Sequence, residues 1–368
     1  MKPRRAVMAM VVLGTMAMLA RGRSEDGVSA RVDAAVEAQR RAQKIPGVSL
    51  VVCQNGKITK ASGYGLANVE LDVPVTLESI FQTGSVGKQF TSMAVMMLVE
   101  EGKMGLDDKL TEHIPESPAV WKDISIRNLL THTSGIADYA GDVGPMGRGV
   151  IDLRKDYTEK ELVQAFAKLP MEFAPGEKWS YSNTGYALLG IVIHRVTGRF
   201  YGDLLQERIF RPLGMNATRI ISEEDIVPHR SGGYRLVKGE LKNQEWVSPT
   251  LNTTADGALY TNVLDLAKWD AALEGRKLIQ ASSYEAMWSP VKLNSGKTYG
   301  YGFGWDVTTR QGRRVVAHDG AWQGFTMSIA RYLDEHLTVI VMTNLDSDNS
   351  KPGKIVDEVS AIYLESRR

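Results

Sequence analysis

Ser85 and Lys88, separated by Val86 and Gly87, stand at the head of an apolar segment, and that spacing suits nucleophilic chemistry. Residues three apart in a helix share a face, so the hydroxyl and the amine can meet. A serine beside a lysine base is one established way of activating a hydroxyl. A helix N-terminus adds partial positive charge where an alkoxide and an oxyanion would form. The spacing recurs at Ser289 and Lys292, but Pro290 opens a loop-like stretch there and nothing holds that pair on one face.

Phe90, Met93, Ala94, Met97 and Leu98 follow at helical spacing, and Gly102 stands where a helix would end. A stripe of this kind is core, which puts Lys88 one turn into a buried helix. Burial would lower the lysine pKa and free an amine to act as base; a lysine reaching out to solvent is the alternative. Two rival motifs fail. A nucleophile elbow needs glycine where Thr83 stands, and a phosphate loop needs glycine at Gln82 and a hydroxyl at Gln89. Gly63 and Gly65 lack the third glycine of a dinucleotide fingerprint, at Asn68.

Tyr181-Ser182-Asn183 follows the loop signal Phe173-Ala174-Pro175-Gly176 and precedes an apolar helix pattern from Tyr186. A phenol near a lysine can be held as phenolate and carry a proton, and the Asn183 amide can orient substrate and lysine. The triplet type recurs at Tyr260-Thr261-Asn262, so it is not decisive alone. His318-Asp319-Gly320-Ala321 lies between two strand-like segments, and an edge strand can offer a backbone N–H to an oxyanion. A hydrogen-bonded structural histidine is the other reading of His318.

In this order the elements resemble the serine β-lactamase and penicillin-recognising hydrolase family, in the branch of class C β-lactamases, D-Ala-D-Ala peptidases and family VIII esterases. Further blocks carry the likeness: Leu129-Leu130-Thr131-His132-Thr133-Ser134-Gly135, Pro212-Leu213-Gly214-Met215, Tyr299 to Trp305, and His318 to Phe325. The resemblance implies Ser85 as the acylated nucleophile and Lys88 as the acceptor of its proton. It implies Tyr181 as the partner that protonates the leaving group and activates the deacylating water, and Asn183 as the group that orients the substrate. The backbone N–H groups of Ser85 and Ala321 would form the oxyanion hole, and His318, Asp319 and Gly320 would face the substrate. Class C enzymes resemble Lys-Thr-Gly at that third site, where lysine and threonine hold a substrate carboxylate. The His-Asp-Gly found here favours a neutral ester or amide over an anionic lactam. Trp305 and Trp322 read equally as an apolar cleft wall or as core.

The first residues read as an export signal over residues 1–22: basic Met1 to Arg5, then an apolar run from Ala6 to Ala20, too short to span a bilayer comfortably. A periplasmic or secreted location and no stable membrane span after cleavage are expected. Lys+Arg 44 against Asp+Glu 43 leaves a net charge of +1, no electrostatic case for nucleic acid. Cys53, in the apolar run Ser49 to Cys53, reads as an inert buried thiol. His113, His132, His194, His229, His318 and His336 are scattered without zinc spacing, so no metal or cofactor is expected.

The fold class expected is α+β: an antiparallel sheet flanked by terminal helices, plus an inserted, mostly helical domain. Residues 28–84 and 271–368 would form the sheet domain and residues 85–270 the helix-rich one, with the cleft between them. Val28 to Lys44 predicts a helix, and Val48 to Cys53 and Lys57 to Gly63 a hairpin about Asn55-Gly56. The helix-rich middle includes Asn128 to Thr131, Thr158 to Lys168 and Tyr186 to Val196. Strands are predicted at Tyr301 to Thr308, Arg313 to Ala317, Gly324 to Tyr332 and Leu337 to Thr343, then a closing helix from Ile355 to Glu365. The glycine-rich stretch from Tyr139 to Gly147 predicts a surface loop beside the cleft. The function expected is hydrolysis of a small ester or amide through an acyl-enzyme, with esterase action favoured. D-Ala-D-Ala peptidase or class C-like β-lactamase activity is the alternative, and a β-lactam-binding sensor without turnover the alternative of another class. The oligomeric state is not legible.

Overall fold

The computed structural model describes residues 27–141 and 150–366. The expected export signal and residues 142–147 of the glycine-rich loop lie outside the described residues. In chain order the elements that build the site begin with helix α1 (residues 27–42) and strands β1 (Gly47–Gln54), β2 (Lys57–Asn68) and β3 (Val73–Pro74). Helices α2 (Lys88–Glu100), α3 (Asn183–Thr197) and α4 (Val263–Glu274) follow. Strands β4 (Asp306–Arg310), β5 (Arg313–Trp322), β6 (Phe325–Tyr332) and β7 (Leu337–Thr343) lead to helix α5 (Pro352–Glu365).

Among the described residues, seven strands form one antiparallel sheet in the order β4-β5-β6-β7-β1-β2-β3. The N-terminal hairpin thus pairs with the C-terminal meander, Val51 opposite Ile340. Asn55 and Gly56 both take positive φ, 51° and 69°, as the tight turn joining β1 to β2 requires. Successive side chains along a strand face opposite sides, and both sides here are apolar. Val48, Leu50, Val339 and Val341 meet Val32, Val36, Ile355 and Val359 of the terminal helices. Val51, Ile329, Ile340 and Met342 face the larger core shared with α2, α3 and α4. Burial on both faces is why these strands read as continuous apolar runs rather than alternating ones.

The fold is the α+β arrangement expected from the sequence, with differences in detail. Helix α4 packs on β1, β2 and β7 and runs through residues 270 and 271, the junction expected between helix-rich and sheet segments. The strand expected from Tyr301 begins only at Asp306, because the two glycines before it build a turn instead. Gly302 N–H donates to the Trp305 carbonyl at 2.8 Å, and Gly304, at φ 74°, lies so close to α2 that a Cβ would sit 2.8 Å from the Lys88 carbonyl oxygen. Tyr139, the first residue of the glycine-rich stretch, is buried and donates its hydroxyl to Asp256 Oδ2 at 2.8 Å, whereas Ala140 after it is exposed, as expected of a surface loop.

Candidate active site

Ser85 sits on a single 3-10 turn, Gly84–Gly87, rather than inside the α-helix, which starts at Lys88. A 3-10 turn brings residues i and i+3 into register. Lys88 Nζ accordingly lies 3.0 Å from Ser85 Oγ. The lysine is fully buried, and Nζ also lies 2.7 Å from Asn183 Oδ1 and 2.5 Å from the Asp256 carbonyl oxygen. Both of those oxygens can only accept, so they take two N–H bonds. In the neutral amine the remaining lone pair then faces the serine hydroxyl. Burial pushes the amine down to about 8, against the opposing pull of the Asp256 and Asp138 carboxylates. The apolar stripe after Lys88 is buried on every side, as expected of a central helix.

Tyr181 ends the loop that leads into α3, with Ser182 at the helix N-cap and Asn183 its first residue. The Tyr181 ring centroid is 4.9 Å from Lys88 Nζ. Its hydroxyl has no hydrogen-bond partner among the described residues. Burial raises this phenol well above its ordinary value, and the nearby Ser85 hydroxyl offsets that only in part. Tyr181 therefore rests as a neutral phenol and not as the phenolate that a neighbouring lysine could have held. The other Tyr-x-Asn triplet is structural. Tyr260 pairs with Gln82 in a buried two-strand ladder, and Asn262 caps α4 by accepting from Asp265 N–H at 2.9 Å. Ser289, of the second Ser-x-x-Lys, is exposed and donates its hydroxyl to the Glu285 carbonyl at 2.6 Å.

His318, Asp319, Gly320 and Ala321 lie within β5, which is not the outermost strand but has a local free edge. β4 pairs with β5 only as far as Asp306 opposite Ala317. Trp322 and Phe325 close the β5–β6 hairpin around a two-residue turn. The pair flanking such a turn is hydrogen-bonded and alternate residues point outward, so Ala321 N–H faces the free edge. The serine turn docks against that edge. A Cβ on Gly320 would sit 2.0 Å from the Thr83 carbonyl oxygen, and one on Gly84 would sit 2.5 Å from Ala321 N. Glycine at both positions lets the backbone N–H groups of Ser85 and Ala321 share one wall.

Two cavities meet at the serine. The larger, about 640 Å³, is lined by Tyr181, Tyr301, Asp306, His318, Asp319 and the first residues of α5. The smaller, about 110 Å³, is lined by Asn183, Thr254, Gly257, Ala258 and Trp322. Ser85 and Ala321 line both. All residues singled out in the sequence as catalytic or substrate-facing thus converge here, and Trp322 joins them while Trp305 is fully buried core. His318 is not free to bind substrate: Nε2 lies 2.9 Å from the Tyr301 hydroxyl, and Nδ1 2.6 Å from the Asp319 carbonyl oxygen. Burial and the Lys88 charge push the imidazole down to about 3, so it is neutral. Asp319 is exposed in the large cavity, as expected, but Asp306, Lys351 and Lys354 share that cavity. Burial and the Asp319 charge raise the Asp306 carboxyl to about 6. Cys53 is buried and its thiol is pushed up by burial, which leaves it inert.

Sequence reasoning missed Asp138, Asp256, Tyr301 and Asp306. Only Tyr301, inside the Tyr299 to Trp305 block that carries part of the family likeness, had a signal.

A model of the Beta-lactamase family matches residues 32–359. The chain belongs to that family. Penicillin-binding protein 4* of Bacillus subtilis is 32% identical to it over 330 residues, covering 86% of this chain and 72% of that protein. A D-aminopeptidase of Gluconobacter oxydans is 28% identical over 326 residues, covering 87% of this chain but only 59% of that relative. Among solved structures, the octameric penicillin-binding protein homologue from Pyrococcus abyssi superposes with a TM-score of 0.77 at 30% identity, over 92% of this chain and 77% of that one. D-amino acid amidase from Ochrobactrum anthropi SV3 gives 0.79 at 24% identity, over 93% and 100%, a likeness of fold. The protein is thus a serine hydrolase of the β-lactamase family. Among the described residues no helix is long and apolar enough to cross a membrane.

Proposed function

We propose that this protein is an exported hydrolase that cleaves small neutral esters, and amides less readily, through an acyl-enzyme on Ser85. The observation that carries the reading is the Lys88 amine, buried, 3.0 Å from Ser85 Oγ and anchored by two other acceptors. Ser85 Oγ attacks the substrate carbonyl while its proton passes to Lys88. The developing oxyanion meets the N–H groups of Ser85 and Ala321, each such donor contributing about 3–4 kcal/mol to the transition state. Tyr181 gives its proton to the leaving oxygen or nitrogen. The phenolate formed, beside the Lys88 ammonium, takes a proton from the deacylating water. As the second tetrahedral intermediate collapses, Ser85 Oγ recovers a proton from Lys88, and all three groups return to their resting forms.

The neutral-substrate preference rests on His318, which puts an uncharged ring with both nitrogens engaged where class C β-lactamases resemble a lysine. Peptidase action is the second reading, favoured by Lys351 and Lys354 on the large cavity, where a peptide carboxylate would find positive charge. The apolar run of residues 6–20 supports export. A screen of p-nitrophenyl butyrate, nitrocefin and a D-Ala-D-Ala peptide tests the assignment. The ester is expected to give the highest kcat/KM, with continued turnover. A preference for the peptide would establish the second reading, and a burst of one product per protein would establish a sensor.

A further inference from the structure

The two cavities at Ser85 differ about sixfold in volume, and the proton donor lies on one side only. Tyr181 lines the large cavity and Asn183 the small one. A leaving group must depart next to the group that protonates it. That puts the alcohol or amine portion in the large cavity and the acyl portion in the small one, an assignment that rests on the function proposed above.

The small cavity has room for roughly three to four groups of water size, at about 30 Å³ each. Its lining residues are mostly small, Gly84, Ala140, Gly257 and Ala258 among them, and Trp322 carries the largest side chain. That indole is not free to swing away. Trp322 Nε1–H donates to Asn252 Oδ1 at 2.7 Å, and the same oxygen accepts from Gln82 Nε2 at 3.0 Å, both on buried side chains behind the wall. Trp322 is also the last residue of β5, where hairpin pairing with Phe325 fixes the backbone. The wall is therefore held by the fold at both ends of the side chain.

We propose that Trp322 limits the length of the acyl group this hydrolase accepts, by closing the small chamber beside Ser85. The substrate class is then esters of short-chain acids, up to about four carbons, with little constraint on the alcohol. A methylene that a pocket cannot hold costs about 10- to 200-fold in kcat/KM.

The test is kcat/KM for p-nitrophenyl acetate, butyrate, hexanoate and octanoate with wild type, Trp322→Ala and Trp322→Phe. Butyrates of rising alcohol length serve as the reverse series. Wild type is expected to fall at least tenfold from butyrate to octanoate and to vary little along the alcohol series. Trp322→Ala should raise octanoate relative to acetate by at least tenfold. Trp322→Phe keeps an aromatic wall without the Asn252 bond and should shift the profile by less, so it decides the matter if the alanine variant does not fold. A wild type indifferent to acyl length, or a profile unmoved in both variants, overturns the proposal. Sensitivity to the alcohol instead of the acid would mean that the chambers are reversed, and overturns it too. Absence of any Ser85-dependent cleavage would strike the hydrolase reading itself, an outcome distinct from a flat profile.

Discussion

Asp138 grips Asn183 at two points, Oδ1 accepting from the backbone N–H and Oδ2 from Nδ2–H, each at 3.0 Å. The fork turns Asn183 Oδ1 toward Lys88, and the carboxylate charge also raises the lysine pKa against its burial. Asp256 adds a second raising charge, while Tyr181, Tyr186, His132 and His318 around the amine are neutral near pH 7. Only the unprotonated amine can take the Ser85 proton. With Lys88 at about 8, kcat/KM should climb between pH 7 and pH 9. Asp138→Asn removes a charge that favours the ammonium, so the Lys88 pKa falls and the acid limb moves to lower pH. A pH–rate profile of both proteins checks this; an unmoved limb would reduce Asp138 to scaffolding.

Tyr181→Phe is expected to lower kcat by about 10²–10⁴-fold, the usual contribution of a general acid–base group, with an unchanged melting temperature. Tyr260→Phe should stay within about threefold of wild type, since Tyr260 sits in a buried ladder and general acid–base losses of that size need a group at the reacting atoms. Steady-state kinetics on one ester decides between the triplets, and a damaged Tyr260 variant beside a mild Tyr181 variant would reverse the assignment.

His132 supports the tyrosine loop from below. Its Nδ1 accepts from Ser182 N–H at 3.2 Å, its carbonyl from Ser180 N–H at 3.0 Å, and its ring centroid is 4.2 Å from that of Tyr181. The residue holds a left-handed backbone, φ 57°, uncommon without glycine. His132→Phe keeps ring volume but loses the acceptor, and kcat should fall about tenfold. Fluorophosphonate labelling of Ser85 should persist, because fluoride departs without a proton from Tyr181. His132→Asn, which restores an acceptor, should recover part of kcat. Equal loss of labelling and kcat would mean general disruption instead.

How far the sequence carried can be judged from these residues. Ser85, Lys88 and the strands of the sheet were legible because their signals are local: a three-residue spacing, apolar runs, an Asn-Gly turn. The ordering of His318 was not, because its meaning depends on Tyr301, 17 residues away and brought alongside by a glycine turn that the strand pattern concealed. Asp138 and Asp256 were invisible for the same reason: each acts across the fold on a lysine at least 50 residues distant. The resting charge of Tyr181 also depended on burial, which spacing alone does not give.

His318→Lys combined with Asp319→Thr places a cation and a hydroxyl where the substrate of a β-lactamase would find them. Wild type should cleave p-nitrophenyl butyrate with far higher kcat/KM than nitrocefin, and the double variant should narrow the gap by about tenfold or more. An exposed charge pair at about 4 Å is worth roughly 1 kcal/mol in water and more in a partly dry cleft. Efficient nitrocefin hydrolysis by wild type would remove the basis for a neutral-substrate preference.

The central claim is that one serine among many carries the acyl group. Intact-protein and peptide mass spectrometry after brief exposure to a fluorophosphonate, on wild type and on Ser85→Ala and Ser289→Ala, tests it most directly. One adduct per chain is expected, on the peptide containing Ser85, absent from Ser85→Ala together with ester turnover and undiminished in Ser289→Ala. An adduct on any other residue, or turnover that survives Ser85→Ala, would contradict the account.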